Sequence, residues 1–120
     1  MIKILIVLCM FLRGDIQYLT KENYTTKTAH GIAVVEFWAP WNSANGLSPE
    51  TIDLIYEEGS HYYRVDITTQ PELATKYNVD TLPTIIIYSE GVKRYEHRGT
   101  IQFTLSADDI ETIKKEVTGY

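Results

Sequence analysis

The residues best placed to do chemistry lie in one stretch, Val34 to Asn45, where an apolar run surrounds one carboxylate and leads into a polar turn. Glu36 is that carboxylate, and burial of an unpaired carboxyl group is costly and raises its pKa. Trp41 stands at an aromatic corner before the turn Asn42–Asn45. The turn offers one hydroxyl, Ser43, but no histidine stands beside it in the sequence to act as its base. The stretch predicts a buried strand that delivers an exposed turn lacking an activated nucleophile.

Thiol chemistry is limited because the chain has one cysteine, Cys9. A single thiol can form neither an internal disulfide nor a metal cluster, and we interpret Cys9 as a small buried hydrophobe or part of a removed segment. The three histidines, His30, His61 and His97, fall in predicted loops or strand ends, and we interpret them as solvated structural residues. The residues alone therefore predict no catalytic group, no metal site and no cofactor.

Length and composition indicate one globular domain. The chain has 120 residues, of which 44% are hydrophobic and 22% are charged, and these are ordinary values for a folded domain of this size. Its formal net charge is -5 and its pI is about 5.1. The Lys and Arg residues are scattered, so the basic surface that a nucleic acid would need is not predicted.

The N-terminal segment 1–14 permits two interpretations. Lys3 precedes nine apolar residues, Ile4 to Leu12, and Arg13 interrupts the region where a signal peptidase would cut. The segment is either a signal peptide or an additional buried strand. The apolar run is too short for stable insertion across a membrane. If residues 1–14 are retained we expect a cytoplasmic protein. If they are cleaved we expect a secretory, periplasmic or endoplasmic-reticulum location. The domain itself is assigned to 15–120.

Hydrophobic patterns and turn residues predict alternating strands and helices. The predicted strands are 16–19, 32–38, 62–67, 85–88 and 92–97. The predicted helices are 21–28 with Thr20 as N-cap, one beginning within 42–45 with a kink or late start at Pro49, one opening at 70–72, and one capped by Ser106. We expect Tyr24 to be the inward anchor of the first helix and Asn78 to be a left-handed cap of the third. The tight turn Glu90–Gly91 predicts an antiparallel hairpin between the last two strands. This order predicts an α/β fold with a central mixed sheet of four to five strands and helices on both faces.

Several of these segments, taken in order, resemble the thioredoxin family over about residues 15–118. The run Val35–Trp41 is similar to the segment that leads into the family's Cys-x-x-Cys site, and Glu rather than Asp at position 36 is closer to protein disulfide isomerase domains. The run Thr81–Thr84 resembles the loop that carries the family's cis-proline, Pro83. Gly99, 16 residues further on, matches the family's groove glycine. The resemblance implies a thioredoxin fold.

The same resemblance exposes a departure at the site. Asn42, Ser43, Ala44 and Asn45 stand where the family has its two cysteines, so this turn is a former active-site turn. Pro49 lies eight residues after Trp41, one fewer than in typical members, so Asn45 is an approximate match for the second cysteine. In the family the carboxylate at position 36 lies beneath the cysteines and helps to move protons. Here it has no thiol to serve, and Lys76 or a water is its expected partner. We therefore expect Glu36→Gln to leave ligand binding unchanged and to raise stability slightly.

What the resemblance leaves in place is a binding surface. In the family an extended peptide lies in a groove beside the turn and pairs with the residue before the cis-proline, which is a form of strand addition. The corresponding residues are Trp41, Leu82, Pro83 and Gly99. The Asn side chains have two open interpretations, as contacts to a peptide or as helix N-caps.

Three alternative functions are consistent with these residues. The first is a redox-inactive domain that binds an extended polypeptide or a partner protein, without nucleic acid. The second is a thiol–disulfide oxidoreductase or isomerase-related enzyme with an atypical site that uses Cys9 or an external thiol. The third is a purely structural domain. The sequence does not distinguish between oligomeric states.

Overall fold

The computed structural model describes residues 16–45, 47, 49–55, 57, 59–99 and 106–119. Segment 1–14 and Cys9, whose two interpretations remain open, therefore lie outside the described residues. In chain order the elements are β1 (Gln17–Tyr18), α1 (Tyr24–Lys27), β2 (Ile32–Trp38), a 3-10 helix (Pro40–Asn45), α2 (Pro49–Ile55), β3 (Ser60–Asp66), α3 (Pro71–Lys76), β4 (Thr84–Ser89), β5 (Val92–Arg98) and α4 (Ala107–Thr118).

The strands form one mixed sheet of five strands in the order β1-β3-β2-β4-β5. Strand β2 is central, and it pairs parallel with β3 and antiparallel with β4. Strand β5 lies at the edge, antiparallel to β4, with a register shift at Ile87 and Tyr88. The predicted mixed sheet is confirmed, and so is the expectation that the sequence after β4 forms a hairpin.

The sheet separates two hydrophobic clusters because successive side chains of a strand point to opposite faces. On one face Val35 and Phe37 pack with residues of α1 and α3, including Tyr24 and Leu73. On the other face Val34 packs with residues of α2 and α4, namely Ile52, Ile55, Ile113 and Val117. The helices therefore cover both faces, as the run of apolar residues in β2 predicts.

Two helices start late, and for the helix after β2 a late start at Pro49 was among the predictions. The segment 40–45 is a 3-10 helix that bends at Asn42 (φ -116°, ψ 21°), and the α-helix begins only at Pro49. Proline fits the first turn of a helix because its missing N–H would have no intrahelical acceptor there. Neither Asn42 nor Asn45 is the N-cap of this helix.

Helix α1 is also shorter than predicted, and it begins at Tyr24 after Asn23 rather than directly after Thr20. The Oδ1 atom of Asn23 accepts a hydrogen bond from the backbone N–H of Thr20 at 2.8 Å. This contact resembles one half of a capping box, and the Tyr24 N–H donates to the Thr20 carbonyl at 3.0 Å, so residues 21–23 form a turn that leads into the helix. The predicted inward anchor is confirmed, since Tyr24 is buried.

The turn and capping signals in the second half of the chain are confirmed. Asn78 adopts a left-handed conformation with φ 55°, and the hairpin residues Glu90 and Gly91 have φ 51° and 81°. Ser106 and Asp109 form a capping box at the start of α4, in which each side chain accepts from the other residue's backbone N–H. Among the residues described, no helix combines the length and the apolar character needed to cross a bilayer.

Candidate functional site

Strand pairing brings three separate segments to one end of the sheet. Phe37, next to the last residue of β2, pairs with Thr84, the first residue of β4. Thr84 in turn pairs with Arg98, the last residue of β5. The turn that follows β2, the Leu82–Pro83 loop that precedes β4 and Gly99 after β5 therefore share this end.

Asn42, the first residue of the former active-site turn, and Trp41, the residue before it, differ in exposure to solvent. The backbone N–H of Asn42 donates to the carbonyl of Ala39 at 3.0 Å, and Asn42 is buried. Trp41, one position earlier, leaves 64% of its surface exposed. A large aromatic residue with that exposure provides apolar contact area at the surface. The side chains of Ser43, Ala44 and Asn45 lie outside the described part of the structure.

The Leu82–Pro83 loop and Gly99 are in direct backbone contact. Leu82 and Pro83 are buried, and the peptide bond between them is cis. A Cβ atom built on Gly99 would lie 2.5 Å from the carbonyl carbon of Leu82 and 2.8 Å from the backbone nitrogen of Pro83. No side chain fits at such distances, so the approach of these two segments requires glycine at position 99.

Beneath the turn, Glu36 forms a buried ion pair with Arg64, a residue that the sequence alone did not single out. Nε and Nη2 of Arg64 both donate to Oε1 of Glu36, at 3.0 and 2.8 Å. The two residues occupy the same register position on β2 and β3. The side chains of Glu36 and Arg64 are 2% and 12% exposed, respectively. Burial of two charges is costly unless their remaining hydrogen-bonding groups are satisfied. Removal of one partner would leave the other charge buried alone.

Leu47 completes this arrangement through its backbone. Its N–H donates to Oε2 of Glu36 at 2.7 Å, and its carbonyl accepts from Nη2 of Arg64 at 2.7 Å. Both carboxylate oxygens of Glu36 therefore have donors. We call these three residues the Leu47 clamp.

Two aromatic rings cover the guanidinium of the clamp. The Cζ atom of Arg64 lies 4.7 Å from the ring centroid of Trp38 and 6.0 Å from that of Tyr18. The two rings meet edge to face at 6.0 Å. Cation–π contact of this kind suits the planar and weakly hydrated guanidinium better than an ammonium.

The electrostatics of the pair are set by burial and by mutual attraction. Burial raises the pKa of Glu36, while the Arg64 guanidinium and the Leu47 N–H oppose that rise. Burial lowers the pKa of Arg64, but the Glu36 carboxylate and the Tyr18 hydroxyl outweigh it and raise the pKa overall. The guanidinium therefore stays protonated, and Glu36 faces a permanent positive charge.

Two expectations about charged residues were wrong. Lys76 is not the partner of Glu36, because Arg64 and the Leu47 N–H hold both carboxylate oxygens, whereas the Lys76 Nζ lies 5.5 Å from the ring centroid of Tyr77. His97 is not solvated, since its side chain is only 12% exposed and its Nε2 lies 3.8 Å from Oδ2 of Asp109. His30 and His61 are exposed, as expected.

A sequence signal for Arg64 was present. Glu36 and Arg64 are charged residues inside the predicted strands 32–38 and 62–67, although β3 also contains Asp66 and begins two residues earlier than predicted. Opposite charges on neighbouring strands stabilise each other when the register places them side by side. No comparable signal pointed to Leu47, because its role depends only on backbone atoms.

A central mixed sheet with a turn after its middle strand and a cis-proline loop facing that turn defines a thioredoxin-fold domain. The family model described as Thioredoxin matches residues 15–112, and the chain belongs to the thioredoxin family.

Known relatives agree with this assignment. The chain is 34% identical over 89 residues to protein disulfide isomerase-like 1-3 of Arabidopsis thaliana, a match that covers 71% of this chain and 15% of the plant protein. It is 27% identical over 78 residues to thioredoxin of Chlamydia trachomatis, covering 63% of this chain and 76% of that protein. A mutant thioredoxin from Halobacterium salinarum superposes with a TM-score of 0.68 at 18% identity, covering 90% of this chain and 92% of that one, and it shows the same fold.

Proposed function

We propose that this chain is a redox-inactive thioredoxin-like domain that binds an extended polypeptide, or a segment of a partner protein, beside its former active-site turn. The surface concerned is bounded by Trp41, the Leu82–Pro83 loop and Gly99, and we call it the turn groove. The observation that carries the proposal is the combination of an exposed Trp41 with a turn, Asn42–Asn45, that contains no cysteine.

Redox activity is disfavoured on chemical grounds. Thiol–disulfide exchange needs a thiolate that attacks a disulfide and a second thiol that resolves the mixed disulfide. The chain contains one cysteine, Cys9, which precedes the residues matched by the family model. Asparagine is not a nucleophile, and Ser43 has no neighbouring base in the sequence. Binding without exchange is therefore the function that these residues support.

Binding is supported by what remains at this end of the sheet. Trp41 supplies an exposed aromatic anchor, and aromatic residues carry a large share of the energy in protein interfaces. The approach of Gly99 to the Leu82–Pro83 backbone keeps side-chain bulk away from the loop. An extended peptide could then reach backbone groups of the loop, as in strand addition.

Binding is tested with a fluorescein-labelled, permanently unfolded polypeptide, reduced and carboxymethylated α-lactalbumin, in fluorescence-anisotropy titrations. We expect saturable binding by the wild-type chain, and we expect Trp41→Ala to weaken it by about tenfold or more, the cost of truncating an interface hot spot. Leu54→Ala is the matched control, since Leu54 is an apolar residue of helix α2 that is 63% exposed. Equal binding by wild type and Trp41→Ala would contradict the proposed site.

Redox activity is tested separately by insulin reduction with dithiothreitol. We expect the wild-type chain to show only the background rate, because the turn has no thiol. Turnover above background that disappears in Cys9→Ser would establish the alternative, an oxidoreductase or isomerase-related enzyme that uses Cys9. Turnover that persists in Cys9→Ser would indicate an external thiol. An absence of both turnover and polypeptide binding would favour the structural role.

A further inference from the structure

The peptide unit on each side of Leu47 is held by a charged side chain from the central sheet. Glu36 of β2 accepts from the Leu47 N–H, and Arg64 of β3 donates to the Leu47 carbonyl, each at 2.7 Å. Leu47 lies between the 3-10 helix and α2, outside the elements of the described residues. Buried backbone groups in such a connection need hydrogen bonds from elsewhere, and the clamp supplies both.

Leu47, the residue that the two charged side chains of the clamp hold, lies two residues after Asn45, the last residue of the former active-site turn. At its start the turn closely follows β2, and the Asn42 N–H donates to the carbonyl of Ala39, the residue after the last residue of that strand. Beyond its end, Leu47 is anchored to the sheet by the clamp and by its buried side chain. The segment that carries Trp41 is therefore tied to the sheet on both sides.

The type of cation is important for this geometry. Nη2 of Arg64 donates both to Oε1 of Glu36 and to the Leu47 carbonyl, while Nε donates a second bond to the same carboxylate oxygen. The Cζ atom of Arg64 also lies over the ring of Trp38, 4.7 Å from its centroid. A lysine ammonium is a point charge without this planar fork, so it would not reproduce the three bonds in one orientation.

We infer that Arg64 and Glu36 are positioning residues for the turn groove: through Leu47 they hold the Trp41 turn in the orientation that binds polypeptide. This inference rests on the proposed function. In this role the buried carboxylate of Glu36 holds a loop in place, which requires no thiol. The pair touches the backbone of Leu47 and acts on the ligand only through the turn.

The experiment separates positioning from simple stability. Arg64→Met leaves Glu36 buried without its partner, and we expect it to destabilise the chain. In the double variant Glu36→Met with Arg64→Met, the unpaired charge is removed, and stability should return toward the wild-type value because apolar replacements of buried ion pairs are often neutral or better. Lys93→Met is the matched control, because it removes a cation from an exposed ion pair with Glu96 on β5.

Three properties are measured for each full-length variant: the midpoint of urea unfolding, the hydrogen-exchange rate of the Leu47 amide relative to that of Val35 in β2, and the affinity for carboxymethylated α-lactalbumin. We expect the double variant to regain stability while its Leu47 amide exchanges about tenfold faster than in wild type, the effect of losing a charged hydrogen-bond acceptor. Its affinity for the polypeptide should fall severalfold, and Lys93→Met should match wild type in all three properties.

Arg64→Lys gives a conservative comparison. We expect it to retain more stability than Arg64→Met, yet to leave the exchange of the Leu47 amide and the polypeptide affinity impaired. A double variant that regains stability, Leu47 protection and affinity together would overturn the inference, because the pair would then contribute to stability alone.

Failure of the proposed function would look different. The wild-type chain would then not bind the polypeptide, and the turn would still be judged by the Leu47 exchange rate and by the indole N–H chemical shift of Trp41. Unchanged values for both in the double variant would overturn the positioning role independently.

Discussion

Glu36 and Arg64 lie side by side on the parallel strands β2 and β3, with Nη2 of Arg64 2.8 Å from Oε1 of Glu36. Both side chains are largely withdrawn from solvent. The carboxylate that remains beneath a turn without cysteines is therefore neither unpaired nor solvated. Its partner reverses an expectation from the sequence, that Glu36→Gln would raise stability slightly by removing an isolated buried charge.

We predict that Glu36→Gln destabilises the chain by about 3 kcal/mol, because the Arg64 guanidinium would be left buried without a counter-charge. The measurement is the free energy of unfolding from urea titrations followed by circular dichroism. Glu72→Gln is the control, since Glu72 is 72% exposed in its ion pair with Lys21, and removal of an exposed pair changes stability by about 1 kcal/mol or less. An unfolding midpoint for Glu36→Gln at or above the wild-type value would contradict the structural assignment.

Gly99→Ala tests the contact between Gly99 and the Leu82–Pro83 backbone. Its Cβ would lie 2.8 Å from the backbone nitrogen of Pro83, so the segments must separate, at a cost of about 2 kcal/mol by analogy with overpacking. We expect lower stability in urea unfolding and weaker polypeptide binding in the anisotropy assay. Gly119→Ala is the control with a smaller expected loss, because its φ of -79° suits alanine and its added Cβ would approach only the Lys115 carbonyl oxygen closely, at 3.0 Å. Equal free energies of unfolding for the two variants would contradict the prediction, because the Leu82–Pro83 loop would then accommodate the added methyl group at little cost.

The capping box of α4 predicts a pH-dependent contribution to stability. Hydrogen bonds from the backbone N–H of Ser106 and its side chain, aided by His97, lower the pKa of Asp109, and burial opposes this only in part. A lowered pKa means that the contribution is present above the unfolded value of 3.8 and is lost as the pH falls through the folded value.

We therefore expect Asp109→Asn to cost about 1 kcal/mol at neutral pH, and we expect this difference from wild type to shrink in acid. Urea unfolding of both proteins at neutral pH and at about pH 3, below the ordinary range for Asp, measures it. Asp108→Asn in the same first turn is the control, with a smaller loss expected. A difference for Asp109→Asn that stays constant between the two pH values would rule out the carboxylate as its source.

The buried tyrosine pair predicts sensitivity to alkali. The hydroxyl groups of Tyr24 and Tyr88 lie 2.7 Å apart. Burial raises the pKa of Tyr24, and it raises the pKa of Tyr88 to about 12. The folded state favours the neutral phenols. The contribution of this pair to the free energy of unfolding is therefore fully present below the unfolded pKa of 10.0, and it is lost as the pH rises toward the folded pKa values.

We expect Tyr24→Phe to lose about 1 kcal/mol at neutral pH, since its hydrogen bond is removed. Above the unfolded value of 10.0, wild type should lose about 1.4 kcal/mol per pH unit more than this variant, because one proton fewer is released on unfolding of the variant. Unfolding experiments across the alkaline range measure the difference. Parallel pH profiles for wild type and Tyr24→Phe would contradict the prediction.

Much of the fold could be predicted from local patterns. The bounds of β2 matched, because an apolar β-branched run between Gly31 and Pro40 needs no distant information. The Ser106 cap was equally visible, since a side chain and a backbone group three residues apart form it. The late start of α2 followed from Pro49 alone. The bend of the 3-10 helix at Asn42 and the shortened α1 were not predicted, because the ends of short helices depend on small changes in backbone geometry that residue types do not specify.

For the candidate site, too, some features could be predicted from the sequence and others could not. By itself the sequence determined which residue types occupy the turn, and hence that Asn42–Asn45 carries no thiol; it also indicated that Glu36 is buried. Only the tertiary structure decided what surrounds that carboxylate. The register of β2 against β3 brings together residues 28 positions apart, and the path of the chain beyond the turn brings the Leu47 backbone between them. Such contacts join groups that are distant along the chain, so they depend on packing rather than on local propensity.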